Sequence, residues 1–158
     1  MLLHSYDIVF QEVPGEVTLA LNLAGCPNHC EGCHSPHLQL EVGTTLDATL
    51  LATLLDTYGG AITCICFMGG DAEPREVERF ALLSRALLDG RLKTAWYSGK
   101  TILAEECSLS SFDYLKLGPY IARLGGLDSP ETNQRFYRIE NGIPILMNQM
   151  FQKQRKRE

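Results

Sequence analysis

Three cysteines lie within eight residues near the start of the chain, and their number restricts what this segment can be. Cys26, Cys30 and Cys33 follow a C-x3-C-x2-C spacing, and the next cysteine is Cys64. A structural zinc site is closed by four ligands, and electron-transfer clusters are usually held by four cysteines. Three thiolates on one short loop can instead hold a four-iron cluster in which one iron has no protein ligand.

Other uses of these cysteines stay open from the residues alone. A zinc site with His29 or His34 as the fourth ligand fits the same loop. A disulfide framework is disfavoured because Met1 to Phe10 has no basic segment typical of a secretory signal. Without such a signal we expect a cytoplasmic protein, and thiols stay reduced in the cytosol.

The composition predicts one globular domain. The 158 residues are enough for an independent core, and 45 % of them are apolar, as in ordinary folded domains. We therefore expect a single domain over residues 1–158 with a mobile basic tail at 152–158. No apolar run approaches the roughly 20 residues of a membrane helix, and the net charge of −5 argues against a nucleic-acid partner.

Hydrophobic periodicity alternates between strands and helices. Alternating apolar residues from Val17 to Leu23 predict a strand that leads directly into the cysteine loop. A cap at Thr44 or Thr45 and a proline at Pro74 predict the starts of two helices, which end at Gly59-Gly60 and Gly90. Further strands are predicted at 61–67, 92–97 and 113–117, and Asn141-Gly142 predicts a hairpin between strands 135–140 and 143–146.

This order of elements predicts an α/β fold with crossover connections. The chain is too short for eight β/α units, which need about 250 residues. We therefore predict a shortened, open (β/α) partial TIM-type barrel with a mostly parallel sheet. Ligands of such sheets bind at the carboxyl ends of the strands, and the cysteine loop follows one of them.

A second motif, Gly69-Gly70-Asp71, follows the strand predicted at 61–67. Glycines let backbone oxygens approach a ligand closely, although such a turn also joins strands to helices in many folds. Ser98 and Lys116 end the next two predicted strands and are further candidates for ligand contact. Cys64 and Cys66 share one face of a buried strand, where we expect small hydrophobic side chains rather than a metal pair.

The cysteine loop and the Gly-Gly-Asp turn resemble the radical S-adenosylmethionine enzymes. Asp71 stands where that superfamily more often has glutamate, and Gly32 where many members have an aromatic residue. The segment 113–138, with Asp128-Ser-Pro and Thr132-Asn-Gln-Arg-Phe136, resembles the activating proteins of anaerobic ribonucleoside-triphosphate reductases. The resemblance implies that S-adenosylmethionine completes a [4Fe-4S] cluster and that one electron splits its sulfonium into a 5′-deoxyadenosyl radical, which abstracts hydrogen from a glycine of the reductase.

The resemblance also implies roles for particular residues and partners. It gives the catalytic, metal-binding role to Cys26, Cys30 and Cys33, and cofactor contacts to Gly32, Cys33, His34, Gly69, Gly70, Asp71, Ser98 and Lys116. The implied partners are the large reductase subunit and a reduced flavodoxin or ferredoxin-type electron donor. The alternatives are an activase of another glycyl-radical enzyme such as pyruvate formate-lyase, a radical enzyme acting on a small nucleoside-like molecule, and a zinc-binding interaction module.

Overall fold

Eight strands, two α-helices and three short 3-10 helices make up the regular structure of residues 1–152, which are the residues that the computed structural model describes. The basic tail, which the sequence predicts to be mobile, falls outside these residues from Lys153 onward. The elements are β1 (Leu2–Val9), β2 (Thr18–Leu23), β3 (Thr44–Thr45), α1 (Ala48–Tyr58), β4 (Cys64–Met68), α2 (Pro74–Leu87), β5 (Lys93–Tyr97), β6 (Tyr114–Leu117), β7 (Arg135–Glu140) and β8 (Ile143–Leu146).

All eight strands form one sheet in the order β3-β1-β2-β4-β5-β6-β7-β8. The four central strands, β2, β4, β5 and β6, run parallel to one another. Antiparallel pairs flank them on both sides, with β1 and β3 on one side and β7 and β8 on the other. The sheet is therefore mixed, with a parallel centre and antiparallel margins.

The prediction of a partial TIM-type barrel with a mostly parallel sheet is wrong. Four of the seven strand pairings are antiparallel, and residues 1–152 contain only two α-helices. Residues 2–9, which the sequence analysis assigned to no strand, pair antiparallel with β2. The connection from β5 to β6 carries only the short 3-10 helix Leu109–Ser111 instead of an α-helix, so the β/α repeat stops after two units.

The helices cover one face of the sheet, and a smaller apolar cluster covers the other. Leu51 of α1 and Phe80 of α2 are fully buried against strand residues such as Phe67. On the opposite face, the buried side chains are Val13, Cys64, Cys66, Ala95, Tyr114 and Phe136. Both faces of β4 are thus buried, which explains its continuous apolar sequence.

The helix boundaries follow from their end residues. The predicted threonine cap of α1 is wrong, because Thr44–Thr45 form β3 and Asp47 Oδ1 accepts the capping bond from Leu50 N at 2.8 Å. Pro74 occupies the first turn of α2 as predicted. Neither helix of residues 1–152 combines the length and apolarity needed to cross a bilayer.

Strand register brings the carboxyl ends of the parallel strands to one level. Asn22 of β2 pairs with Met68 of β4, Met68 with Tyr97 of β5, and Tyr97 with Lys116 of β6. The residues that follow these positions therefore leave the sheet along a single edge, called the carboxyl edge below. Side chains from four separate segments can meet there.

Candidate functional site

The structure places all the predicted site residues at the carboxyl edge or beside it. The cysteine loop, residues 24–35, follows β2, and the turn 69–71 follows β4. Ser98 follows β5, and Lys116 is the third residue of β6. The strand order puts these four segments side by side, so the expected meeting of the two motifs occurs.

Backbone hydrogen bonds hold the cysteine loop in shape. Cys26 N donates to the Leu38 carbonyl at 2.9 Å, and Cys33 N donates to the Cys30 carbonyl at 3.2 Å. Gly32 has a φ of 71°, a conformation that favours glycine. A Cβ at Gly32 would lie only 3.3 Å from the Ala122 Cβ. The loop therefore bends tightly and packs against a segment that follows β6.

The three thiols have the chemistry that a cluster of four irons needs. All three are free and half-buried, so they are available without being fully exposed. Ser35 N lies 3.4 Å from Cys33 Sγ and donates to it. Hydrogen bonds of this kind tune iron–sulfur clusters. The residues present therefore fit a [4Fe-4S] cluster held by Cys26, Cys30 and Cys33.

The alternative of a zinc site requires several ligands around a single ion. Among residues 1–152, no three His, Cys, Asp or Glu side chains converge closely enough to hold one metal ion. A zinc site needs its ligands in one coordination sphere, whereas a four-iron cluster takes each cysteine at a separate corner. His29, one of the two candidate zinc ligands, places Nδ1 3.1 Å from Gln39 Oε1.

The Gly-Gly-Asp turn depends on both of its glycines. Gly69 and Gly70 have φ values of 98° and 85°. A Cβ at Gly70 would lie 2.5 Å from Val77 Cγ2 and 2.9 Å from Leu23 Cδ1, well inside contact distance. The Trp96 indole donates to the Gly69 carbonyl at 2.7 Å. The turn is therefore held rigidly against β2, β5 and α2.

Asp71 lies at the centre of a hydrogen-bond network at the carboxyl edge. Its Oδ1 accepts from Ser98 Oγ at 2.5 Å. Its Oδ2 accepts from Gly99 N at 2.8 Å and from Asn28 Nδ2 at 2.5 Å. A carboxylate has about four acceptor positions, so this network leaves Asp71 about one for a ligand.

Lys116 is a largely enclosed ammonium group beside the cysteine loop. Its Nζ donates to the Gly118 carbonyl at 2.8 Å and to the Ser98 carbonyl at 3.5 Å. Burial lowers the pKa of Lys116 to about 8, although negative charge on Asp71 and on the three cysteine sulfurs acts in the opposite direction. All four acidic groups therefore lie within electrostatic reach of this one amine.

A cleft of about 450 Å³ opens next to these groups. Its lining includes the polar residues Cys33, His34 and Lys116 and the apolar residues Met68 and Leu127. Its full lining is Cys33, His34, Ser35, Met68, Tyr97, Lys116, Tyr120, Gly126, Leu127, Asp128, Gln134 and Phe151. The cleft therefore offers both polar and apolar surface beside the cysteine loop.

Sequence reasoning missed two residues of this site, Asn28 and Tyr120. Asn28 is an ordinary polar loop residue in the sequence, and nothing there indicates its bond to Asp71. Tyr120 packs its ring 4.4 Å from the His34 ring, centroid to centroid, and its Cε1 lies 3.9 Å from the position of a Cβ at Gly32. The Gly32 position, which lacks an aromatic residue of its own, thus has one supplied by a different segment.

Cys64 and Cys66 lie outside the cysteine loop, in the buried cluster against which the apolar residues of the cleft pack. Both are fully buried, as the sequence analysis expected of small apolar side chains. Burial raises the pKa of the Cys66 thiol well above its ordinary value, with the nearby Cys64 a smaller cause. Each thiol therefore stays protonated in the folded protein.

Comparisons of the chain with protein-family models, with curated proteins and with solved structures find no match. A function for this protein therefore has to be argued from the site itself.

Proposed function

We propose that this protein is a radical S-adenosylmethionine activase, in which Cys26, Cys30 and Cys33 hold a [4Fe-4S] cluster. The proposed reaction produces a glycyl radical on the large subunit of an anaerobic ribonucleoside-triphosphate reductase. The bound cluster would supply the single electron that cleaves S-adenosylmethionine reductively. A cytoplasmic location, with a reduced flavodoxin or ferredoxin-type donor, belongs to the same proposal.

One observation carries this proposal more than any other. Three thiols on one loop, a carboxylate and a largely enclosed ammonium group meet at the carboxyl edge of the parallel strands, beside an open cleft. The methionine end of S-adenosylmethionine carries an ammonium group and a carboxylate, so its site needs a charge of each sign. Asp71 and Lys116 provide them.

The residues of the site have separate tasks in this proposal. Lys116 binds the substrate carboxylate, because both of its protein acceptors are neutral carbonyls and no carboxylate bonds to it directly within residues 1–152. The remaining acceptor position of Asp71 receives the substrate amine. Gly69 and Gly70 keep this turn free of Cβ atoms, so the backbone can lie close to the ligand.

The apolar residues of the cleft favour the proposal of a macromolecular substrate. Four half-buried apolar side chains line the cleft: Met68, Tyr97, Leu127 and Phe151. A glycine-bearing loop of a partner protein would cover these side chains and exclude water from the reacting atoms. The reductase is preferred over pyruvate formate-lyase as the partner because of the resemblance carried by residues 113–138.

Anaerobic reconstitution with iron and sulfide, followed by electron paramagnetic resonance, tests the proposal. About four irons and four sulfides per chain are expected, with a change in the cluster signal when S-adenosylmethionine is added. Incubation with candidate glycyl-radical enzymes should then give a glycyl doublet on the reductase. A protein that binds one zinc and no sulfide would refute the proposal, and a doublet only on pyruvate formate-lyase would replace the partner.

A further inference from the structure

We propose that Asn28 is a positioning residue that fastens the cysteine loop to the Gly-Gly-Asp turn and holds an N–H donor against the sulfur of Cys26. Its amide nitrogen lies 2.5 Å from Asp71 Oδ2 and 3.6 Å from Cys26 Sγ. One amide group has two N–H donors. A single side chain therefore reaches both motifs.

The orientation of the Asn28 amide follows from its neighbour. A carboxylate accepts hydrogen bonds and donates none, so the nitrogen and not the oxygen of Asn28 must face Asp71. This orientation also aims the second N–H toward the Cys26 sulfur, which is an acceptor. The two contacts are thus consistent with one placement of the amide.

The absence of a side chain at Gly99 leaves the space that the Asn28 amide occupies. A Cβ at Gly99 would lie 2.4 Å from Asn28 Nδ2 and 3.3 Å from Asp71 Oδ2. Any larger residue at position 99 would therefore displace the amide. Gly99 also donates its own N–H to Asp71, so the absence of a side chain lets backbone and amide share one carboxylate oxygen.

The arrangement gives Asn28 a defined task. The cysteine loop, the turn after β4 and the turn after β5 are separate in the sequence, and the Asp71 network joins all three. Asn28 is the contribution of the cysteine loop to that network. Without it, Asp71 would keep its bonds to Ser98 and Gly99, but the loop would lose its side-chain connection to Asp71.

A double-mutant cycle on the cluster-free full chain tests the connection, with thermal unfolding as the measurement. Asn28→Ala should lower the melting temperature by roughly 3–10 °C, the effect of a hydrogen bond to a charged group in a domain of this size. In an Asp71→Ala background the same change should have little effect. Glu31→Ala, an exposed change in the same loop, should leave the melting temperature unaltered.

Additive effects of Asn28→Ala and Asp71→Ala would overturn the proposed connection. If Asp71→Ala does not fold, Asp71→Asn serves as the background, and the effect of Asn28→Ala should still shrink because the acceptor is no longer charged. These measurements need no cluster. They therefore stand or fall separately from the proposed function.

The donor to Cys26 is tested by the reduction potential of the reconstituted protein, which rests on the proposed function. Hydrogen bonds to cluster sulfurs help to set the potential, and loss of an N–H donor disfavours the extra negative charge of the reduced form. Asn28→Ala should therefore make the potential more negative, whereas Glu31→Ala should not. An unchanged potential in Asn28→Ala would overturn this part, and failure to bind iron and sulfide would instead refute the proposed function.

Discussion

Each end of the parallel strands carries a carboxylate that accepts three hydrogen bonds, but the two ends differ in the lysine beside it. At the amino end, Glu16 accepts from Lys93, Tyr114 and Thr63 at 2.5, 2.6 and 2.6 Å. These four residues are called the amino-end cluster below. At the carboxyl edge, Asp71 accepts from neutral donors only.

The pKa values of the two lysines shift in opposite directions. The hydrogen bond to Glu16 raises the pKa of Lys93, because the lysine charge is directly paired. Burial lowers the pKa of Lys116, which donates only to carbonyls within residues 1–152. In the amino-end cluster the charges of Lys93 and Glu16 are paired directly, and this pair stabilises the fold. At the carboxyl edge, Lys116 has no directly bonded carboxylate within residues 1–152, so its hydrogen bonds leave it able to bind an anionic group.

The largest expected effect comes from the cysteines. Replacing Cys26, Cys30 or Cys33 by alanine should abolish cluster assembly and S-adenosylmethionine cleavage together, since each would supply one of the three protein ligands of the proposed cluster. Cys64→Ala should keep both activities and lower the free energy of unfolding by about 1–3 kcal/mol, as expected for a small buried side chain. Iron and sulfide analysis distinguishes the outcomes, and loss of the cluster in Cys64→Ala would contradict the assignment of ligands.

The contrast between the two lysines can be tested by binding. Lys116→Met should weaken the binding of S-adenosylmethionine to the reconstituted protein by roughly 10- to 100-fold, the value of a charge-assisted hydrogen bond. Lys93→Met, at the amino-end cluster, should leave the dissociation constant unchanged while lowering stability. If the two substitutions changed the dissociation constant equally, Lys116 would have no binding role that Lys93 lacks.

The carboxyl edge was largely predictable from the sequence because its main residues are chemically unusual or conformationally restricted. The cysteine spacing and the glycine pair can be read directly from the sequence, and the strands before them have strong apolar patterns. Asn28 was not predictable, because its partner lies 43 residues away in the chain and polar loop residues have no pattern of their own. The roles of the site residues remain predictions.

The fold was predicted well where the signal was local. The Asn141-Gly142 turn gave both strands of the hairpin with their observed bounds, and both turn residues have positive φ. β1 was missed because its central residues, 4–7, are all exposed and show no alternation of buried and exposed positions. Missing β1 and its partner β3 is what made the sheet look mostly parallel.

The amino-end cluster should matter to stability alone. Glu16→Gln should lower the free energy of unfolding by about 1–3 kcal/mol, since the new amide cannot accept all three donors at a buried position. Glu140→Gln, in the exposed pair with Arg138, should cost less than about 1 kcal/mol. Denaturant unfolding of the cluster-free protein measures both, and a loss of S-adenosylmethionine binding in Glu16→Gln would show that the two ends are coupled.

Steric crowding at the carboxyl edge predicts a cost for adding a methyl group. Gly70→Ala should lower the free energy of unfolding by about 1–3 kcal/mol, because a Cβ there meets Val77 and Leu23 and the φ of 85° is strained for alanine. Gly142→Ala has a similar φ of 75° with open space around the Cβ position. It should cost less, and equal losses would show that crowding at Gly70 is unimportant.

The lowered pKa of Lys116 also predicts how stability depends on pH. The pKa of Lys116 is about 8 in the folded protein and lies near its ordinary value of 10.5 in the unfolded chain. The folded state therefore releases its proton first, so the contribution of Lys116 to stability rises between pH 8 and 10.5. Unfolding of the cluster-free protein at several pH values should show this rise, and Lys116→Met should lack it.

The segment 118–128 borders the cleft and packs against the cysteine loop through Tyr120 and Ala122. Asn133 Nδ2 donates to the Pro119 carbonyl at 2.9 Å, and Thr132 Oγ1 donates to the Gly125 carbonyl at 3.2 Å. Four residues of the segment line the cleft, yet none belongs to the buried core. A grafted segment of different length could therefore reshape the opening and change which molecules enter, while the scaffold beneath kept its architecture.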